Sequence, residues 1–196
     1  RRQRQMCIRD SLLIYLSKGL AQVSMVAKEN GMVCEESKVI MKDNLFTTIT
    51  NANFDKEAIA RKITNTIALR EKIKDKLTEK GVALSGLHDS AIWISNDIDV
   101  MEMKGSTIGI LTIENEDIRS LKELITYGLK GIAAYGEHAQ NLNYFDEDLE
   151  NFIQETMAKL LEEVSVDDLI ALTLKTGEYG VKGMALLDEA NTTTYG

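Results

Sequence analysis

The sequence predicts an all-α protein of two three-helix bundles joined by an irregular linker. Three observations predict it. The 196 residues contain no proline, where average usage near 5% would give roughly ten, so long helices run uninterrupted. Apolar residues recur at spacings of three and four in segment after segment. Capping residues open those segments, and glycines close several of them.

The first ten residues, RRQRQMCIRD, are basic and aperiodic and read as a foreign leader. Residues 11–81 form the first bundle. Ser11 suits a cap for a helix reaching about Asn30, with Gly31 as its left-handed terminator. Leu12, Leu16, Leu20, Val23 and Val26 make its core face, and Gly19 in its middle marks a close approach by a neighbouring helix. Glu35 and Glu36 open a second helix to about Ile49, where carboxylates suit the positive helix end. Thr50 to Asn53 is a polar break. Asp55 starts a third helix with Ile59, Ile63, Ile67, Ile73 and Leu77 inward and Gly81 at its end. Its other face, with Arg61, Lys62, Arg70, Lys72, Lys74 and Lys76 among Glu71, Asp75 and Glu79, reads as solvated and laced with salt bridges.

Residues 82–115 lose periodicity and form the linker, with Trp93 in AIWI tucked against a bundle and Ile108–Ile113 as a short strand. The second bundle is 116–196. Asn115 with Glu116 and Asp117 opens a helix to about Asn141, Asp146 caps a fifth to about Val164, and Ser165 with Asp168 caps the sixth. Lys130–Gly131–Ile132–Ala133 echoes Lys18–Gly19–Leu20–Ala21, which suggests a duplicated unit. Gly128, Gly131, Gly136, Gly177, Gly180 and Gly183 are spaced to let helix backbones approach. Val181, Met184, Ala185, Leu186 and Leu187 supply a buried face before the polar string Asp188–Tyr195, whose partners would lie in chain beyond Gly196.

A net charge of −8 and a pI near 4.9 argue against nucleic acid and anionic membrane as partners. No apolar run approaches the roughly 18 residues of a membrane span, and there is no secretory leader, so the expected location is cytoplasmic. Cys7 and Cys34 cannot make a four-thiolate cluster, and His88 and His138 are far apart. No Glu-x-x-His pair marks a di-iron site, since Tyr135 precedes His138 by three and Ser85 precedes His88 by three. Neither a nucleotide fingerprint nor a nucleophile elbow occurs. The residues alone assign no catalytic group and no metal ligand.

Four collinear stretches carry a resemblance: LLIYLSKGL at 12–20, LFTTITNAN at 45–53, GILTIENEDIRSLKELITYGLKGIAAYGEH at 109–138 and MALLDEANTTTYG at 184–196. They resemble the first helical domain of the hybrid-cluster proteins, also called prismane proteins or hydroxylamine reductases. The nickel carbon-monoxide dehydrogenases share the architecture, but the TITNAN and DEANTTTYG strings look like hybrid-cluster protein.

The resemblance implies an iron–sulfur oxidoreductase that reduces hydroxylamine to ammonia, with nitric oxide chemistry also associated. A 4Fe–4S cubane cluster would relay electrons to a hybrid iron–sulfur–oxygen cluster. Neither ligand set matches residues of this chain, so no cofactor is expected within it and the chain alone is expected to be inactive. Its partners would be the remaining domains of the same polypeptide and an electron-donating reductase. The resemblance makes Thr50, Asn51, Asn191, Thr192, Thr193 and Tyr195 candidates for lining the substrate pocket. The competing reading is a stand-alone helical scaffold or interaction module without redox chemistry.

Overall fold

The computed structural model describes residues 2–49 and 56–196, with side chains from Ile8 to Ile49 and from Glu57 onward. The described residues are helical without a strand: α1 Arg2–Glu29, α2 Glu35–Thr47, α3 Lys56–Glu79, α4 Ile98–Thr107, α5 Glu116–Gln140, α6 Glu147–Lys159 and α7 Val166–Tyr195, with short 3₁₀ turns at Asp89–Ala91 and Ile110–Thr112.

The helix ends follow from local chemistry. α1 and α3 close in the same way. Met32 N–H donates to the Ala27 carbonyl and Val82 N–H to that of Leu77, while Gly31 and Gly81 take φ of +71° and +77°. Asn143, at φ 65°, does this for α5, with Tyr144 N–H donating to the Ala139 carbonyl. At the N-termini, Asn115 accepts from Ile118 N–H, Asp146 from Leu149 N–H and Ser165 from Asp168 N–H.

α1 differs from expectation at its start. It runs from Arg2 straight through Ser11, because residues 2–10 contain neither glycine nor proline and several strong helix formers. Arg9 forms an ion pair with Glu102 of α4 at 2.9 Å, and α4 crosses α1 where Gly105 meets the Ile8 carbonyl. The linker is more ordered than its lost periodicity suggests. Asp97 caps α4 by accepting from Asp99 and Val100 N–H. The strand expected at Ile108–Ile113 is instead a 3₁₀ turn in which Ile113 N–H donates to the Ile110 carbonyl, and no described strand lies alongside to pair with it. Ala91 is buried and Trp93 packs on the core, while Ile92 and Ile94 are exposed.

Two apolar clusters hold the helices. The smaller joins Leu12, Leu13 and Leu16 of α1 to Ile59, Ile63 and Ile67 of α3 and Met101 of α4. The larger draws on both expected bundles. It brings Leu20 and Val23 of α1, Met41 and Leu45 of α2 and Ile73 of α3 together with Leu129 of α5, Phe152 of α6 and Leu169 of α7. Burying a side chain of this size stabilises by roughly 1.5–3 kcal/mol.

Polar groups cross the same core. Asn44 Nδ2 donates to Ser17 Oγ and Thr66 Oγ1, joining α1, α2 and α3. Lys42, 2% exposed, reaches from α2 to Glu150 of α6 at 2.7 Å and also donates to Gln140 of α5. A buried lysine needs such partners, because desolvating an unpaired charge costs several kcal/mol.

Arg70 corrects the surface reading of α3: it is completely buried. Its guanidinium donates to the Ser90 carbonyl at 2.7 Å, the Trp93 carbonyl at 2.9 Å and the Glu71 carboxylate. These acceptors come mostly from the linker, which the helical period of α3 does not encode.

Candidate functional site

Thr50 and Asn51 lie outside the described residues. Asn191, Thr192, Thr193 and Tyr195 sit on the last turns of α7, all exposed. The helix continues through the polar string to Tyr195 because nothing in it breaks the backbone ladder. The expected buried face beside it is not buried. Val181 and Met184 are 62% and 45% exposed, while Gly183 and Ala190 point inward.

α7 seats on α5 through small residues. A methyl group added at Gly128 would meet Thr176 Cγ2 at 2.5 Å, and one at Gly183 would touch Tyr135 and Leu149. Nothing lies within 4 Å of such a methyl at Gly131, Gly177 or Gly180, so the glycine spacing serves packing only in part. Seated this way, α7 turns Ile170, Leu174, Val181, Met184 and Tyr195 outward on one stripe. An apolar stripe flanked by polar groups is the usual form of a surface that another segment covers.

A separate cavity of about 750 Å³ opens between α1, the end of α2, the 108–113 segment and α5. The α7 string does not line it. Thr48 and Ile49, the last described residues before the polar break, do. Its apolar wall includes Ile14, Ile108, Ile110 and Leu160, and its charged groups are Asp10, Lys18, Lys122, Glu123 and Lys130.

The side chains around this cavity are tuned by burial and by each other. Burial pushes the Lys18 ammonium down to about 8; Glu123 opposes that shift, while Lys122 and Lys130 add to it. Lys122 is likewise held below the ordinary lysine range by burial, and donates to the carbonyls of Leu160 and Glu162 at 2.9 and 3.0 Å. Those bonds tie down the turn at which α6 ends, short of the expected Val164.

His88 Nδ1 accepts from Ser90 N–H, and burial lowers its basicity. Tyr15 donates to Asp89 at 2.5 Å; burial first, and then that bond, raise its phenol. Asp89 also accepts from Lys104 at 2.6 Å, and these two hydrogen bonds hold its carboxyl below the usual range. No motif in the sequence points directly to this cavity. The nearest signal was the Lys-Gly-x-Ala echo, since both of its lysines line it.

Among the described residues no three of His, Cys, Asp and Glu are grouped to hold a metal ion. Cys34 is the one described thiol, partly exposed, and burial raises it away from the thiolate form. An iron–sulfur cluster takes up to four thiolates, so these residues do not fit one. No described helix is long and apolar enough to cross a membrane.

Among the described residues, helical order without a strand defines an all-α domain. The chain belongs to the Prismane/CO dehydrogenase family, which it matches over residues 3–196. It is 48% identical over 190 residues to a hydroxylamine reductase of Clostridium perfringens, covering 95% of this chain and 35% of that protein. It is 46% identical over 189 residues to one from Desulfitobacterium hafniense (strain Y51), covering 95% and 34%. With the enzyme of Clostridium tetani the identity is 40% over 212 residues, covering 95% and 37%. The chain thus spans about a third of the length of the curated relatives it matches.

Proposed function

We propose that this chain is the N-terminal helical portion of a hydroxylamine reductase of the hybrid-cluster type, an iron–sulfur oxidoreductase that takes hydroxylamine to ammonia. The observation that carries this reading is 40–48% identity to hydroxylamine reductases along 95% of the chain. The overall reaction adds two electrons and two protons to hydroxylamine, breaks its N–O bond and releases ammonia and water. The cubane and hybrid clusters that supply those electrons belong to the intact polypeptide, which an electron-donating reductase would serve.

In this reading the chain holds the other domains in place and contributes part of the pocket wall through Thr50, Asn51, Asn191, Thr192, Thr193 and Tyr195. The outward stripe of α7 supports it, because an exposed run of Ile170, Leu174 and Val181 calls for a covering segment. The chain alone has no reductase activity.

The test is a chimera. This chain replaces the matching third of the C. perfringens relative, and hydroxylamine-dependent oxidation of reduced methyl viologen is followed without oxygen. Turnover by the chimera, and none by the chain alone, is expected. An inactive but folded and cluster-loaded chimera, or turnover by the chain alone, overturns the reading.

A further inference from the structure

The Lys-Gly-x-Ala echo has a spatial counterpart. Leu20 and Ala21 in one copy, and Ile132 and Ala133 in the other, are buried in the same apolar cluster. With the apolar pair fixed, the lysine of each copy is delivered to the cavity, Lys18 from α1 and Lys130 from α5. Lys122 joins them one helical stretch earlier, so three ammonium groups face the carboxylates of Asp10 and Glu123. His88 and Tyr15 complete the polar rim, His88 with its basicity lowered by burial.

These groups are not equally satisfied. Lys122 spends its protons on two backbone carbonyls, and Lys130 lies near the Tyr127 ring and is attracted by Asp10. Lys18 makes no hydrogen bond to any described residue and has Glu123 only as a nearby opposite charge. Lys18 is partly exposed, so its ammonium is left to cavity water, which a ligand group can displace. The rest of the wall is apolar, with Ile14, Ile110 and Leu160 among its residues, and the volume falls within the range of small-molecule sites.

We propose that this cavity is a binding site for a small organic anion, a carboxylate with an apolar body, whose charged end is held by Lys18 and Lys130. The isoleucine and leucine wall selects an organic anion over a compact inorganic one, which would lose water on faces that nothing here replaces. Binding is linked to protonation. The free Lys18 amine loses its proton near pH 8, and an anion beside it, acting against Lys122 and Lys130, returns the ammonium to favour. The site stands apart from the α7 string and does not depend on the reductase reading.

The test is calorimetric titration of the 196-residue chain with sodium benzoate, benzyl alcohol and inorganic phosphate. Expected are saturable one-to-one benzoate binding, about tenfold weaker at pH 9 than at pH 7 because the charged form of Lys18 is then the minor one, and no binding of benzyl alcohol. Lys18→Met removes both the affinity and the pH dependence. Lys130→Met weakens binding at both pH values, and circular dichroism of each variant checks its fold. If Lys18→Met does not fold, Lys130→Met decides. No saturable benzoate binding, equal binding of benzyl alcohol, phosphate binding tighter than benzoate, or full affinity in a folded variant overturns the proposal.

Discussion

The carbonyl of Ser90 lies directly against Gly19: a methyl group on Gly19 would stand 2.1 Å from that oxygen. The same oxygen accepts from Arg70 Nη1 at 2.7 Å, so the linker is pinned between α1 and α3. The neighbour at Gly19 is therefore a 3₁₀ turn of the linker, where the sequence suggested a helix. Gly19→Ala adds a methyl group that must push the linker backbone aside, at a cost of about 2–4 kcal/mol. On an exposed helix the same change would stabilise by about 1 kcal/mol. Urea unfolding decides between the two, and a raised midpoint would contradict the crossing.

Arg70→Met keeps the length of the side chain but leaves the Ser90 and Trp93 carbonyls without their donor. A loss of about 2–4 kcal/mol is expected. Trp93 fluorescence should shift as its segment loosens. Unchanged stability and an unchanged spectrum would show that the linker is held by apolar contact alone.

Lys42 and Glu150 form a coupled pair between α2 and α6, with side chains 3% and 14% exposed. Lys42→Met strands a carboxylate and Glu150→Gln strands an ammonium, each costing about 3–5 kcal/mol. The double variant should cost less than the sum of the two. A double-mutant cycle in thermal unfolding measures that coupling, and strict additivity would show that the pair is not an interacting unit.

The pH dependence of stability has a definite sign at Lys18. Its folded-state value of about 8 lies below the ordinary 10.5, so between those two values the unfolded chain binds more protons than the folded one. Lys18 therefore contributes a gain in stability as pH rises through 8 towards 10.5, and its penalty is fully present below 8. Melting temperatures of the parent and Lys18→Met across that window should differ in slope. Asp89 acts at the acid end, where its depressed carboxyl contributes stability that is lost as pH falls through its folded value.

Leu174→Asp and Val181→Asp test the outward stripe of α7. Both residues are exposed, at 68% and 62%, so each change should move the stability of the chain by no more than about 0.5 kcal/mol. In the chimera with the remaining domains the same changes should abolish assembly or turnover. Unimpaired chimeras would remove the stripe from the interface.

Much of this molecule was legible because its instructions are local. Asn115, Asp146 and Ser165 cap the helices they were expected to open, and Gly31 and Gly81 follow the helices they were expected to end. A cap is decided within four residues, so the sequence window contains the whole cause. Arg70 was misread because its acceptors lie about twenty residues away on a turn that has no helical period. The face of α7 was misread for a related reason. Spacing shows that Val181 and Met184 share a side, but not which side meets α5, and small residues at Gly128 and Gly183 decided that. The candidates Asn191, Thr192, Thr193 and Tyr195 came from family likeness, and their exposure leaves their role to whatever covers them.

The two echoing lysines stand on different helices, each held in place by its own buried apolar pair, with α2 packed against both helices. The basicity of Lys18 is therefore a gauge of alignment. Any slip of α1 against α5 changes the spacing of the three ammonium groups and the water reaching them, and so shifts the pH at which one amine titrates. Isotope-labelled lysine would turn that titration into a readout of the core from within, without a reporter group being added.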